Sequence, residues 1–242
     1  MKLLIIRHAD PDYEKDSLTE KGWKEAELLS NRLSVMDIKE FYVSPLGRAR
    51  DTANVTLNKM DRTAEVLPWL REFDAPVYDE ELGKEKICWD FLPQYWTKIK
   101  EYYDKDLWYT VPRMEKGNVI SEAKKVFEGI DKIIEKNGYV REGNLYRAIN
   151  PNRDTIVLFC HFGVQCVILS HLLGISPVVL WHGFCASPTS VTTLVTEERR
   201  KGIAYFRMSA FGDTSHLYIA GENPSFSARF CETYDNFDER HD

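Results

Sequence analysis

The chain has 242 residues, of which 43% are hydrophobic, 12% aromatic and 29% charged, and its formal net charge is -6. This supply of apolar residues suffices for one sizeable core, so we expect a single domain over residues 1–242. A net negative chain lacks the clustered Lys and Arg that bind phosphate backbones, which excludes nucleic acid as the expected partner. A small anionic substrate remains compatible with this charge, because net charge does not describe a local cleft.

No apolar run approaches the roughly 20 residues that span a bilayer. The first eight residues turn from apolar to charged too soon to form a secretory signal. The cysteines form no Cys-x-x-Cys pair, and their odd number favours a reducing compartment. They are Cys88, Cys160, Cys166, Cys185 and Cys231. We therefore expect a cytoplasmic protein with no membrane partner.

The N-terminal segment predicts a strand, a helix and a second strand. Residues 3–6 form an apolar run that is typical of a strand buried on both faces. A helix is predicted over residues 20–33, with Thr19 as its N-cap. Residues 40–43 predict the next strand. This alternation favours a parallel sheet covered by helices.

The middle of the chain changes in character. Ser44 and Pro45 have the residue types of a helix cap and a first helical position, so a second helix is predicted from there to about residue 57. Residues 75–150 then predict a largely helical insertion that forms a lid over one end of the sheet, with one clear helix from about residue 121. Aromatic residues concentrate in this insertion, namely Trp89, Tyr95, Trp96, Tyr102, Tyr103, Trp108 and Tyr109.

The C-terminal part returns to strands and a helix. Residues 155–160 are continuously apolar and predict a central strand, followed by a helix over residues 164–173. Residues 191–196 and 203–208 predict two paired strands. The polar segment after residue 220 predicts an irregular extension.

Three short stretches follow predicted strands and carry cationic or ionisable side chains. They contain the pair Arg7 and His8, Arg48 within residues 44–50, and His161. Ligands of parallel α/β sheets collect at the carboxyl ends of the strands, so these stretches are expected to meet in one crevice. Two arginines and two histidines suit a dianionic phosphoryl group, because one guanidinium group can donate two parallel hydrogen bonds to phosphate oxygens and stays charged at working pH.

The same stretches resemble the motifs of the histidine phosphatase superfamily, also called the phosphoglycerate mutase-like family. Residues 7–9 are similar to its Arg-His-Gly motif, and residues 18–22 to its Leu-Thr-x-x-Gly motif. Residues 44–53 match Ser-Pro-Leu-x-Arg-Ala-x-x-Thr-Ala at every specified position. Residues 161–163 are similar to its His-Gly-Gly motif.

A tail motif of the family, Asn-Asp-Thr-x-His-Leu, is similar to residues 212–217. The resemblance covers about residues 1–72 and 155–220 and leaves the insertion unmatched. Together with the strand and helix pattern it predicts an α/β protein, a three-layer α/β/α sandwich with a mostly parallel central sheet and the insertion over the active-site end.

The resemblance implies that His8 attacks phosphorus and forms a phosphohistidine intermediate, while Arg7, Arg48 and His161 bind the phosphoryl oxygens and stabilise the transition state. The attacking imidazole must be unprotonated, as one with the ordinary pKa of about 6.5 largely is at neutral pH. These cationic groups replace a metal, and no pair of histidines has the spacing of metal ligands. We therefore predict neither a metal nor another cofactor.

The proton donor is predicted from a weaker likeness. The family places a glutamate in a Leu-x-Glu segment about 20 to 30 residues beyond its second motif, and Glu72 fits this placement. Glu72 is therefore the predicted general acid and the group that activates water, with Asp74 as the second choice. The competing interpretation is that Glu72 is a solvated loop carboxylate. The family's Gly-x-Trp-Glu-Gly continuation is absent.

Two positions depart from the family pattern. Ala9 replaces the glycine after the nucleophile and would be strained if that position required a positive φ. Phe162 replaces the first glycine after His161 and is expected to bring a ring to the pocket wall. These changes predict a pocket shaped unlike that of the glycolytic mutases.

The predicted function is metal-independent hydrolysis of a phosphomonoester, with a small phosphorylated metabolite as substrate. A phosphoglycerate mutase-type transfer uses the same His8 chemistry and is the nearest alternative. A non-catalytic phosphate-binding protein is the alternative from another class. The sequence leaves open which ester is used and the oligomeric state, a homodimer included.

Overall fold

A computed structural model describes residues 1–80, 83–227 and 229–241. The strands are β1 (Lys2–Arg7), β2 (Pro11–Asp12), β3 (Ser17–Leu18), β4 (Glu40–Val43), β5 (Glu65–Val66), β6 (Pro76–Asp79), β7 (Lys84–Ile87), β8 (Tyr139–Glu142), β9 (Leu145–Ala148), β10 (Thr155–Cys160), β11 (Val191–Arg200) and β12 (Ile203–Asp213). The α-helices are α1 (Glu20–Leu33), α2 (Gly47–Met60), α3 (Pro93–Trp96), α4 (Pro112–Lys116), α5 (Val119–Lys136), α6 (Phe162–Leu173), α7 (Pro177–Gly183) and α8 (Ser215–Ile219). Short 3-10 helices span Pro68–Leu70, Lys100–Tyr103 and Trp108–Thr110.

The central sheet has eight strands in the order β5-β4-β10-β1-β11-β12-β9-β8. The first four of these strands are parallel to their neighbours, and every pairing from β1 onward to β8 is antiparallel. The predicted α/β class is confirmed, but the sheet is mixed, and its parallel part ends at β1. Hairpin connections explain the difference, because strands joined by a tight turn, such as β11 and β12, pair antiparallel.

Helices cover both faces of the sheet, as the side chains of β1 show, because they point alternately to one face and to the other. Leu3 and Ile5 belong to one core cluster, which includes Ile130 of α5 and Val167 of α6. Their neighbours along the strand point the other way, into a second cluster that contains residues of α1 and α2. The strand is therefore buried on both sides, as its continuous apolar run predicts.

The start of α2 differs from the prediction. The helix begins at Gly47, and neither Ser44 nor Leu46 makes a side-chain cap to it. The Ser44 hydroxyl is instead 2.7 Å from Nε2 of His161, which draws this residue into the site at the end of β4. Thr19 does cap α1 as predicted, since its hydroxyl accepts from the Gly22 N–H.

Residues 75–150, predicted as a helical lid, have a more varied structure. The described part contains the β6–β7 hairpin and short helices around residues 93–116. The strongly amphipathic α5 packs on the sheet face beside α6, and β8 and β9 extend the central sheet. Short strands of four residues with charged side chains escape pattern recognition, because alternation needs a longer run to be visible. None of the helices in the described residues is long and apolar enough to cross a membrane.

Candidate active site

The carboxyl ends of three adjacent strands assemble the site. Strands β4, β10 and β1 are neighbours in the sheet and end just before Ser44, at Cys160 and at Arg7. His8 and His161 therefore meet at this edge, with their ring centroids 5.0 Å apart. The Thr52 hydroxyl links the loop that follows β1 to α2, because it accepts from the Ala9 N–H at 2.9 Å and donates to the Arg48 carbonyl at 2.8 Å.

His8 is held as a neutral imidazole with a defined tautomer. Its Nδ1 lies 2.7 Å from the carbonyl oxygen of Ala9, and a carbonyl can only accept, so Nδ1 carries the proton. Nε2 consequently bears a free lone pair. Burial and then the charges of Arg7 and Arg48 hold the pKa of His8 well below its usual value. Both features suit a nucleophile, which must be deprotonated at the attacking atom.

His161 is fully buried, and its ring is oriented by Ser44. The Ser44 oxygen accepts from the Leu46 N–H at 3.2 Å and lies 2.7 Å from Nε2 of His161. In the tautomer in which the Ser44 hydroxyl donates to Nε2, the ring proton of His161 is on Nδ1. Burial, and after it the proximity of His8 and of the arginines, hold the pKa of His161 well below its usual value, because a second positive charge is disfavoured here.

Arg7 is 2% exposed and is anchored through its terminal nitrogens. Its Nη1 donates to the carbonyls of Ala186 at 2.7 Å and Ser227 at 3.0 Å. Its Nη2 donates to the Ser227 hydroxyl at 3.4 Å. Burial lowers the pKa of Arg7, and nearby acidic groups, Glu72 among them, oppose this shift.

Arg48 lies in the first turn of α2 and is anchored in a similar way. Its Nη1 donates to Asp16 at 2.6 Å, and its side chain is 12% exposed. The Tyr13 ring lies against its guanidinium, with 5.4 Å between the ring centroid and Cζ. Asp16 has φ +48 and also accepts from the Gly47 N–H, which replaces the missing cap of α2.

Three buried nitrogen atoms of this site have no hydrogen-bond partner among the described residues. They are Nε of Arg7, Nε of Arg48 and Nδ1 of His161. Buried N–H groups without partners cost about 1–3 kcal/mol each, so native proteins rarely keep them without a reason. All three side chains surround His8, and a tetrahedral anion carries enough oxygen acceptors to satisfy them together.

Glu72 lies against the N-terminus of α6, not in solvent. Its Oε1 accepts from the N–H groups of Phe73 at 2.8 Å and Val164 at 3.1 Å. Burial raises the pKa of Glu72, although these backbone donors and the Arg7 charge oppose the shift. Asp74, the second choice, pairs with Arg71 at 3.0 Å on the surface, where its side chain is 57% exposed.

The two departures from the family pattern are accommodated without strain. Ala9 is buried and is absent from the residues with positive φ, so its methyl group carries no backbone penalty. Phe162 packs edge-on against Trp89, with ring centroids 6.3 Å apart. The glycine that remains, Gly163, leaves no room for a side chain, because a Cβ there would lie 2.7 Å from both Oε1 of Glu72 and Nε1 of Trp89.

Sequence analysis missed three residues that hold the site together. Asp16 supports Arg48, and Glu25 accepts from the Asp10 N–H at 3.1 Å. Thr189 donates its N–H to the carbonyls of Arg7 at 3.1 Å and His8 at 3.2 Å, with φ +58. A buried β-branched residue in this conformation is an outlier that tends to occur at functional sites. These contacts join residues that are well separated in the sequence, so no local sequence pattern indicates them.

The other histidines of the described residues have structural partners. His182 lies in α7 and accepts from the Phe91 N–H at 3.0 Å, which ties the insertion to the fold. His171 pairs with Asp131 at 2.8 Å. His216 contacts the Thr189 hydroxyl at 3.2 Å, and burial lowers its pKa to about 4.

With this geometry established, comparison with known proteins identifies the class. The model of the histidine phosphatase superfamily (branch 1) matches residues 3–208. The chain belongs to this superfamily and is an enzyme of it. This agrees with the resemblance of its motifs.

A 2,3-bisphosphoglycerate-dependent phosphoglycerate mutase of Thermoplasma acidophilum is 35% identical over an alignment of 69 residues, and the match covers 24% of this chain. The match spans about a third (34%) of that curated relative.

The phosphoserine phosphatase of Entamoeba histolytica, solved with phosphoserine, has a similar fold, with a TM-score of 0.61 and 19% identity over 89% of this chain and 98% of the other. A mycobacterial glucosyl-3-phosphoglycerate phosphatase solved with VO3 gives a TM-score of 0.57 and 16% identity, covering 88% and 99% of the two chains. The alpha-ribazole phosphatase of Shigella flexneri gives 0.55 and 15% identity, covering 88% and 96%. At these identities the likeness shows the fold alone.

Proposed function

We propose that the protein hydrolyses phosphomonoesters of small metabolites through a phosphohistidine intermediate on His8. The observation that carries the proposal is the set of three unpartnered buried donors, on Arg7, Arg48 and His161, around a neutral His8. A phosphoryl group supplies the missing acceptors. The relatives whose structures were solved in complex with phosphoserine or VO3 support a substrate of this class.

In the first step, Nε2 of His8 attacks phosphorus, and the bond between phosphorus and the ester oxygen breaks. Negative charge on the equatorial oxygens is met by Arg7, Arg48 and the Nδ1–H of His161. Removing one preorganised donor of this kind typically costs about 100- to 1,000-fold in rate. The leaving alkoxide takes a proton from Glu72, whose raised pKa favours the protonated form.

In the second step, water attacks the phosphorus of the phosphohistidine. Glu72, now a carboxylate, accepts a proton from this water, and the bond between phosphorus and Nε2 breaks. Phosphate leaves and His8 returns to its starting form. The carboxyl is thereby protonated again for the next turnover, which closes the cycle.

A mutase is the second candidate, because the stretch of 69 residues is similar to a phosphoglycerate mutase. It would use the first step unchanged and return the phosphoryl group to a second hydroxyl of the bound molecule. The third candidate is a protein that binds phosphate without turnover. The position of Glu72 against α6 favours a working acid over that alternative.

The proposal includes action in the cytoplasm without a metal or cofactor, and dimer formation stays open. Cys88, Cys160, Cys166 and Cys231 are free thiols, which suits a reducing compartment. Arg7 and Arg48 supply the positive charge that a metal would otherwise provide.

The test is release of p-nitrophenol from its phosphate ester in the presence of a chelator, for wild type and His8→Ala. His241→Ala, in the C-terminal tail, is the matched control. We expect turnover in wild type and the control and none in His8→Ala, together with an acid-labile, alkali-stable phosphoryl label on wild type and the control but not on His8→Ala. Equal turnover by His8→Ala would refute the nucleophile. With a substrate that has a free neighbouring hydroxyl, ¹⁸O from water in the released phosphate indicates hydrolysis, whereas a moved phosphoryl group without it indicates a mutase.

A further inference from the structure

The loop between β2 and β3 contacts the guanidinium group of Arg48 from two sides. Asp16 accepts from Nη1 of Arg48 at 2.6 Å. The Tyr13 ring covers the guanidinium face, with its centroid 5.4 Å from Cζ. The loop therefore lies over Arg48.

Asp16 is held in place independently of Arg48. Its second carboxylate oxygen accepts from the Gly47 N–H at 2.6 Å, at the start of a helix that has no cap of its own. The Asp16 carbonyl lies where a Cβ of residue 47 would be, so this close approach requires glycine. One side chain thus connects the backbone of α2 to the side chain of Arg48.

The two arginines share one arrangement. Nη1 of Arg7 is tied to the carbonyls of Ala186 and Ser227, and Nη1 of Arg48 is tied to Asp16. In both side chains Nε remains buried without a partner. Fixing one end of a guanidinium group removes rotamer freedom before the anion binds and directs the remaining N–H groups.

We propose that Asp16 is a positioning residue that aims Arg48 at the phosphoryl group, with the Tyr13 ring supporting the guanidinium face. This inference rests on the proposed function, in which Arg48 binds the phosphoryl oxygens. Asp16 acts through Arg48 and contributes no contact to the anion, since a carboxylate repels phosphate.

The electrostatic and positioning effects of Asp16 have opposite signs. If Asp16 merely lowered the local positive charge, its removal would tighten anion binding. If it positions Arg48, its removal weakens anion binding despite the gain in positive charge. The direction of the change therefore separates the two.

The experiment measures the inhibition constant of orthovanadate, and kcat and KM for p-nitrophenyl phosphate, in the full chain. We expect Asp16→Ala and Asp16→Asn to raise the vanadate inhibition constant by about tenfold, the order of a lost charge-assisted contact. Asp16→Asn keeps an oxygen that can accept from the Gly47 N–H, whereas it loses the charge that binds Arg48. It therefore distinguishes the effect of the contact with Arg48 from the effect of capping α2. Asp12→Ala is the control, because the carboxylate of Asp12, at the end of β2, accepts from the exposed side chain of Lys15 at 2.8 Å and from the Lys15 N–H at 3.3 Å.

The decisive comparison places Asp16→Asn in an Arg48→Ala background. There the substitution should change the vanadate inhibition constant by less than about twofold, because the group that it positions is gone. Tyr13→Phe should match wild type, and Tyr13→Ala should weaken vanadate binding by about two- to threefold through loss of the cation–π contact.

Unchanged or tighter vanadate binding in Asp16→Asn, or an equal effect with and without Arg48, would overturn the inference while the proposed function stands. A folded wild type that neither turns over the ester nor binds vanadate would overturn both.

Discussion

The protonation state of His8 is determined by where the residue lies. It is 2% exposed, and two arginines are close by, so its imidazole is neutral at pH values at which a solvent-exposed histidine is largely protonated. Glu72 is shifted in the opposite direction, toward the protonated acid. Burial therefore favours the uncharged form of both groups, the neutral imidazole of His8 and the protonated carboxyl of Glu72.

These two shifts predict the pH dependence of kcat/KM, which reports groups of the free enzyme. Activity on an alkyl phosphate should persist below pH 6.5, because the lowered pKa of His8 moves its protonation to more acidic pH. Activity should fall on the alkaline side as Glu72 loses its proton above its raised pKa. The optimum is therefore expected on the acid side of neutrality.

Glu72→Gln should abolish the alkaline limb of the pH profile, which is the decrease of kcat/KM at alkaline pH. It should also lower kcat/KM for the alkyl ester by at least about 100-fold, the usual contribution of a general acid. The aryl ester should be affected much less, since its leaving group needs no proton. Asp74→Asn is the control and should retain both limbs, because Asp74 faces solvent beside Arg71. An alkaline limb that persists in Glu72→Gln would assign the acid elsewhere.

The proximity of site residues that lie within a sequence motif could be predicted, and contacts from residues outside the motifs could not. Arg7, His8, Arg48 and His161 follow strands or lie in a recognised segment, and the structure brings all four together. Ser44 has the composition of a helix cap, but its hydroxyl orients His161 instead. Asp16 contacts Arg48 across 32 positions of sequence, which no local spacing can indicate.

The start of helix α6 shows how one element combines folding and chemistry. Strand β10 delivers His161 as the N-cap residue, and the free N–H groups of the first turn then bind Glu72. A carboxylate is favourable at this position because the helix N-terminus carries partial positive charge. Gly163 permits the close approach, since its α-carbon faces both Glu72 and Trp89.

Gly163→Ala is predicted to displace Glu72 and Trp89. Alanine has the better helix propensity, which alone would stabilise α6. The added Cβ would lie 2.7 Å from two side-chain atoms, so we expect a net loss of about 1–3 kcal/mol in the free energy of unfolding and at least a tenfold loss of kcat on alkyl esters.

Urea unfolding and steady-state kinetics test this prediction. Gly183→Ala at the end of α7 is the matched control, because a Cβ there meets no atom within 4 Å. It should match wild type in both measurements. Wild-type stability and turnover in Gly163→Ala would show that Glu72 does not depend on this contact.

Long periodic elements were predictable and short ones were not. The amphipathic run of α5 indicates its helix, and the apolar run of β10 indicates a central strand. Strands β8 and β9 have four residues each, and the sheet edge that they occupy depends on pairing with β12. Such pairing is a tertiary effect that propensity does not encode.

At the scale of the whole molecule, one buried carboxylate connects the two ends of the chain. Glu25 of α1 is fully buried, and its oxygens accept from the Asp10 N–H at 3.1 Å and the Ser225 N–H at 2.9 Å. Two residues further on, Ser227 binds Arg7. The C-terminal segment is thereby fastened beside the nucleophile loop, although 200 positions separate Glu25 from Ser225.

Glu25→Ala should therefore loosen the C-terminal segment and lower the free energy of unfolding. Two buried backbone donors lose their acceptor, and each unsatisfied group costs about 1–3 kcal/mol unless water reaches it. We expect a net loss of about 1–3 kcal/mol in urea unfolding. Tryptic cleavage after the exposed Arg229 should be faster, because this residue follows the segment that Glu25 holds at Ser225. Glu27→Ala on the same helix is the control, because Glu27 is exposed and pairs with Lys59 on the surface. If Glu25→Ala unfolds and is cleaved like this control, the segment must be held by its other contacts, such as those of Ser227 with Arg7, and the carboxylate would have no part in closing the site.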